Sequence, residues 1–114
     1  RDSIEVARQL GICIKRSKIC GGGAKSKLWQ RIFANVLNVK LDILASEQGP
    51  GMGGAMLAMV ACGTYPSVAD AAAALVRVVE TVEPESELVA RYEEHYAAYR
   101  KLYPALKGVF PHLH

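Results

Sequence analysis

Ile4, Val6, Ala7 and Leu10 recur at roughly helical spacing behind Ser3, a residue suited to capping, and Gly11 ends the pattern. The spacing predicts a short amphipathic helix closed by a C-terminal glycine. Ile12–Ile14, the basic stretch Lys15-Arg16-Ser17-Lys18 and then Ile19–Cys20 predict a short buried strand that runs into Gly21-Gly22-Gly23. From Ser26 to Asn38 the apolar residues form two i, i+4 rows, Leu28/Ile32/Val36 and Trp29/Phe33/Leu37. Such a broad apolar face predicts a helix that is largely buried. Val39, Leu41, Ile43 and Ala45 then alternate as a second strand, and strand–helix–strand order favours parallel pairing.

Gly49-Pro50-Gly51-Met52-Gly53-Gly54 opens a third helix whose Met52, Ala55, Met56, Met59 and Val60 are small or flexible and apolar, so close packing is expected of it. Gly63 and Tyr65-Pro66 turn the chain, and Ser67 with Asp70 three residues on predicts the cap of an alanine-rich helix to Glu80. Beyond Glu83-Pro84, Leu88, Tyr92, Tyr96, Tyr99, Tyr103 and Leu106 mark a last helix that Pro104 should kink or end. The fold class is α/β, with order αβαβα followed by two C-terminal helices around short parallel strands. Two strands are too few to stand alone, so the rest of the sheet is expected N-terminal to Arg1.

Composition narrows the class. The 114 residues are 51% apolar and 22% charged, enough to fold as one domain and too apolar for disorder. No apolar run reaches the roughly 20 residues of a membrane span, and the N-terminus has no signal pattern, so no membrane partner is expected. Fourteen basic against eleven acidic side chains give a net charge of +3, short of the basic stripe that a nucleic acid requires. The charge is uneven: residues 1–63 hold nine basic and four acidic side chains, residues 64–114 five and seven. Cys13, Cys20 and Cys62 are an odd set without CxxC spacing, read as reduced thiols in a cytoplasmic protein, two of them packed as small hydrophobes.

Gly21-Gly22-Gly23-Ala24-Lys25-Ser26 lies where a strand gives way to a helix, the place where bare main chain and unpaired N–H groups can meet a ligand. It is not a P-loop, because Ala24 and Ile19 occupy positions that require glycine. A simple tight turn and a ligand-contacting turn both stay open at this point. Residues 49–54 satisfy G-x-G-x-x-G, but Asp70 is better placed in the cap after Ser67 than on a dinucleotide ribose, so helix packing is the preferred reading. Tyr92, Tyr96, Tyr99 and Tyr103 read as a packing seam with wet hydroxyls rather than a stacking platform. His95, His112 and His114 have no metal-ligand spacing, and Glu83, Glu85, Glu87, Glu93 and Glu94 form no acid–base pair.

The run from Cys20 to Gln30 resembles the adenosine motif of the FGGY carbohydrate kinases, within the actin-like ATPase superfamily. Arg1-Asp2-Ser3, the Glu47–Ala55 segment ending Met52-Gly53-Gly54-Ala55, Gly63-Thr64-Tyr65-Pro66 and the Tyr92–Leu106 tail ending Tyr103-Pro104-Ala105-Leu106 follow in family order. Gly54 departs from the family's common alanine, and Lys27 from the proline of many relatives.

The resemblance implies a partial ribonuclease H-like, actin-like ATPase C-terminal lobe. Residues 1–114 would be the C-terminal part of its nucleotide-binding domain, with 1–63 the adenosine-binding αβαβα and 64–114 a C-terminal helical pair. It implies that Gly22, Gly23 and Ala24 lie against the adenine and ribose of ATP, with Ser26 or Lys27 as the polar neighbour. It also implies that Gly53 lets the third helix approach the sheet. The family's aspartate base, its two phosphate loops and its magnesium ligands have no counterpart between Arg1 and His114. The expectation is thus the end of a longer kinase, using ATP, Mg2+ and a ketopentose such as xylulose, and inactive alone. The alternative is a packing module that self-associates as a homo-oligomer through an exposed sheet edge and binds no nucleotide.

Overall fold

A computed structural model describes residues 1–46 and 49–112; Glu47 of the family segment and His114 lie outside the described residues. The elements run α1 (Asp2–Gln9), β1 (Arg16–Ile19), a 3-10 turn (Gly22–Lys25), α2 (Lys27–Leu37), β2 (Lys40–Leu44), α3 (Gly49–Ala61), α4 (Val68–Leu75), β3 (Val78–Val82), α5 (Ser86–Tyr99) and α6 (Leu102–Leu106), with a final 3-10 turn at Phe110–His112. Residues 1–63 follow the expected αβαβα order. The expected end of α1 holds, since Gly11 takes φ +82° and donates to Arg8. Of the two predicted caps, Ser67 accepts from the Asp70 amide as expected, whereas Ser3 lies inside α1, whose N-cap is Arg1; Ser26 caps α2 by accepting from the Trp29 amide.

The sheet has three strands in the order β1-β2-β3. β1 and β2 are parallel, with Arg16 opposite Lys40 and Ile19 opposite Ile43. β3 runs antiparallel to β2, Thr81 facing Asp42, with an irregularity between Ile43 and Leu44. This strand corrects the helix expected to reach Glu80: α4 stops at Leu75, and the chain returns as Val78–Val82. Residues 64–114, expected as a helical pair, hold α4, β3, α5 and α6. The strands are therefore not all parallel, because a short return through α4 brings the chain back against the exposed edge of β2.

The core lies between α2 and the sheet. Ala34, Val39 and Leu41 are buried at its centre, with Ile14, Ile19, Leu37 and Val82 packed around them. The predicted apolar rows of α2 do not form its buried face: that face is Gln30, Ala34 and Asn35, whereas Leu28 is 68% exposed and Trp29 51%. A small residue flanked by two polar ones, each hydrogen-bonded to backbone, lets helix and sheet approach closely. Nor is α3 packed closely: none of its described residues is buried, and Leu57 is 61% exposed. The three cysteines are exposed rather than packed. The radius of gyration of 18.5 Å exceeds the about 13 Å of a compact domain this long, so the apolar surface has little cover within the chain.

Asp42 is buried on β2 yet ionically satisfied. Arg16 reaches it diagonally across the sheet with two hydrogen bonds, Nε to Oδ2 at 2.7 Å and Nη2 to Oδ1 at 2.9 Å, and the Thr81 hydroxyl donates at 2.8 Å. One carboxylate thus ties all three strands. The Arg16 guanidinium, with the Thr81 hydroxyl second, holds the Asp42 carboxyl below the usual carboxylate range.

Candidate adenosine-binding turn

The Gly21–Ser26 turn stands at the end of β1 and feeds α2. Gly21 has φ +89°, a conformation that side chains disfavour, so its glycine is explained by the backbone alone. Two amides close the turn, Ala24 N–H to Gly21 O at 3.0 Å and Ser26 N–H to Gly23 O at 3.3 Å. Ser26 is extended (φ −84°, ψ 117°) and breaks the ladder before α2 starts.

Gly22 and Gly23 differ from Gly21. Neither has a positive φ, and a Cβ built on either meets nothing within 4 Å. Backbone geometry and internal packing would both tolerate alanine at these two positions. What glycine provides there is exposed main chain facing open space.

The structure brings Gly22, Gly23, Ala24 and Ser26 onto one turn but commits two of the polar groups elsewhere. Ser26 Oγ accepts from the Trp29 amide at 3.4 Å, and the Lys27 ammonium pairs with Glu80 on β3. Gly23 and Ala24 line an apolar cleft of about 340 Å3 with Ile4, Ile14, Ile19 and Phe33. On the other side of β1, Cys20 lines a cleft of about 230 Å3 with Gly49, Met52, Met56 and Leu75.

Gly49, not Gly53, makes the close approach of α3. A Cβ at Gly49 would lie 2.7 Å from Cys20 Sγ, whereas one at Gly53 meets nothing within 4 Å. The G-x-G-x-x-G residues from Gly49 onward are wound into α3 itself.

Two features were not singled out from the sequence. Gln30 is 2% exposed and its amide nitrogen donates to the Ala24 carbonyl; a glutamine four residues past a capping serine is the signal that could have drawn attention to it. Asn35 is fully buried, accepts from the Glu85 amide at 2.6 Å and donates to the Arg31 carbonyl at 2.9 Å, fixing α5 to α2. Arg31 grips the Glu85 carboxylate beside it and holds that group below the usual range. The tyrosine row is a half-exposed seam: Tyr96 carries the Arg1 guanidinium 4.3 Å from its ring centre and donates to Asp2, while Tyr99 and Tyr103 are exposed.

Residues 1–62 match the profile of the FGGY family of carbohydrate kinases, C-terminal domain. This chain belongs to that family. Among individual proteins, it is 35% identical to the xylulose kinase of Staphylococcus epidermidis over 106 residues, covering 93% of this chain and 21% of that one. It is 39% identical to the ribulokinase of Anoxybacillus flavithermus over 109 residues, covering 90% of this chain and 19% of that one. A crystal structure of xylulose kinase from Rhodospirillum rubrum superposes with a TM-score of 0.78 at 28% identity, over 96% of this chain and 22% of that one. The chain spans about a fifth of the length of the curated relatives it matches.

Proposed function

We propose that this chain supplies the adenosine-binding wall of an ATP-dependent ketopentose kinase, with xylulose as substrate. The carrying observation is that Gly22 and Gly23, on the turn between β1 and α2 that resembles the family's adenosine motif, are glycine where neither backbone conformation nor internal packing requires it; Gly53, Gly54 and Gly108 share that freedom but not that place. A flat purine resting on bare main chain would require it. The similarity to xylulose kinases supports the sugar, although a ribulokinase of comparable identity keeps the class at ketopentoses.

Gly22, Gly23 and Ala24 hold adenine and ribose through main-chain contact, and Ser26 and Lys27 are the polar neighbours. Both of those side chains already have partners, so a nucleotide contact from either would compete with the helix cap or with Glu80. When bound, ATP supplies the γ-phosphoryl group. A sugar hydroxyl oxygen bonds to that phosphorus, the bond to the ADP oxygen breaks, and the hydroxyl proton goes to a general base. D-xylulose would thereby become D-xylulose 5-phosphate. On the resemblance to the FGGY kinases, the magnesium ligands, the base and the phosphate loops are assigned to polypeptide outside residues 1–114. That assignment makes the 114-residue chain, by itself, inactive as a kinase in this proposal.

Titration of the 114-residue chain with ATP, followed at the Lys25–Trp29 amides, is expected to give a Kd on the order of millimolar, about −4 kcal/mol. Micromolar binding would contradict the assignment of the phosphate contacts to other polypeptide. In a complete kinase carrying this segment, Gly23→Val should raise the KM for ATP and leave that for sugar nearly unchanged. An unaltered ATP KM overturns the reading.

A second reading has its own observation. Leu28, Trp29 and Leu57 are more than half exposed, which favours self-association of the isolated chain. Sedimentation showing a stable dimer, together with no ATP-dependent amide shift, would select it.

A further inference from the structure

Gln30 has the only buried side-chain oxygen or nitrogen among the described residues that lacks a hydrogen-bond partner, its Oε1. The side chain is 2% exposed, and its Nε2 donates to the Ala24 carbonyl at 2.5 Å. That carbonyl is not served by the main chain: the bonds that close the turn end on Gly21 and Gly23, and the extended Ser26 keeps the first α2 amides from reaching back to it. The amide of Gln30 therefore clamps the turn from inside α2.

A methionine or leucine would fill this space without burying an acceptor that has no donor. For packing alone glutamine is the poorer choice, because an unsatisfied buried oxygen carries the full cost of its lost hydration. What glutamine offers and an apolar residue cannot is the N–H that meets Ala24. A glutamate, acceptor-only when ionised, would face the carbonyl with like charge.

We infer that Gln30 is a positioning residue for the nucleotide, fixing the Ala24 carbonyl and so the height at which Gly22 and Gly23 present their main chain to adenosine. This rests on the adenosine reading above. Gln30 Oε1 is out of reach of solvent, so the residue acts through the turn and not by touching ATP.

The test uses the 114-residue chain labelled with 15N and 13C. In the unsubstituted chain the Gln30 side-chain amide hydrogens should exchange with water about tenfold more slowly than those of the exposed Gln9. Exchange as fast as Gln9 overturns the proposal, and this readout stands even where a variant does not fold. Gln30→Met should shift the Ala24 carbonyl resonance and weaken ATP binding about threefold or more, while the amide spectrum outside residues 21–30 stays in place. ATP binding by Gln30→Met equal to that of the unsubstituted chain overturns this proposal alone. An unsubstituted chain with no ATP-dependent shift overturns the adenosine reading and this proposal with it.

Discussion

The chain has two glycine clusters, each just past a parallel strand, and Gly22 and Gly23 of the first contrast with Gly49 of the second. After β1, Gly22 and Gly23 sit in a 3-10 turn with open space where a Cβ would go. After β2, Gly49 is wound into α3 beside Cys20, whose Sγ would have to move to admit a Cβ there. Both are rich in glycine. The difference teaches that what lies at the missing side chain identifies a glycine crowded by a neighbour, as at Gly49, while open space, shared by Gly22, Gly23, Gly53 and Gly54, gains meaning only from its place in the fold.

Substitutions should pull the two clusters apart. Gly49→Val is expected to have the largest effect, a loss of about 1–2 kcal/mol in chemical or thermal unfolding, because a branched side chain would displace Cys20 Sγ and crowd its Cβ. The milder Gly49→Ala should be partly rescued by Cys20→Ala, with a coupling of about 1 kcal/mol in a double-mutant cycle. Additivity of the two would remove the close contact from the account. Gly21→Ala should cost about 1 kcal/mol through its positive φ. Gly22→Ala, one residue on, should change stability by less than about 0.5 kcal/mol while weakening ATP binding. A large stability loss at Gly22 would mean that its glycine serves the fold and not a ligand.

The strands beneath the two clusters share the Arg16–Asp42–Thr81 ladder, which gives a smaller, pH-dependent effect. The folded Asp42 carboxyl titrates below its usual value. Its contribution is therefore complete above the unfolded-state value and is lost as pH falls through the lower, folded one. Melting from about pH 6 to about pH 2 should show an acid limb that is shallower in Asp42→Asn. Equal limbs in both proteins would show that the ladder is not linked to folding.

Much of the frame was legible in the sequence because local chemistry decides it. Gly11 ends α1, Ser26 and Ser67 open their helices, and the Val39–Ala45 alternation marks β2 to within a residue at each end. The turn at Gly21–Ser26 was legible too, through its glycines. β3 was hidden by the alanine run before it, although Val76, Val78, Val79, Thr81 and Val82 are β-branched and favour a strand. The buried face of α2 was misjudged because apolar periodicity names a sticky face, not the one that the sheet accepts. Ala34 wins that place by being small, and Gln30 and Asn35 by having backbone partners. Asn35 could not be read, and Gln30 only through its spacing from Ser26, because their partners are set by where turns and neighbouring helices end in space.

Helix α2 holds a loop at each end, the glycine turn through Gln30 and the lead-in to α5 through Asn35. It therefore behaves as a splint with two splices. The lead-in to α5, far along the chain from the glycines, and the glycine turn are thus anchored to one and the same helix.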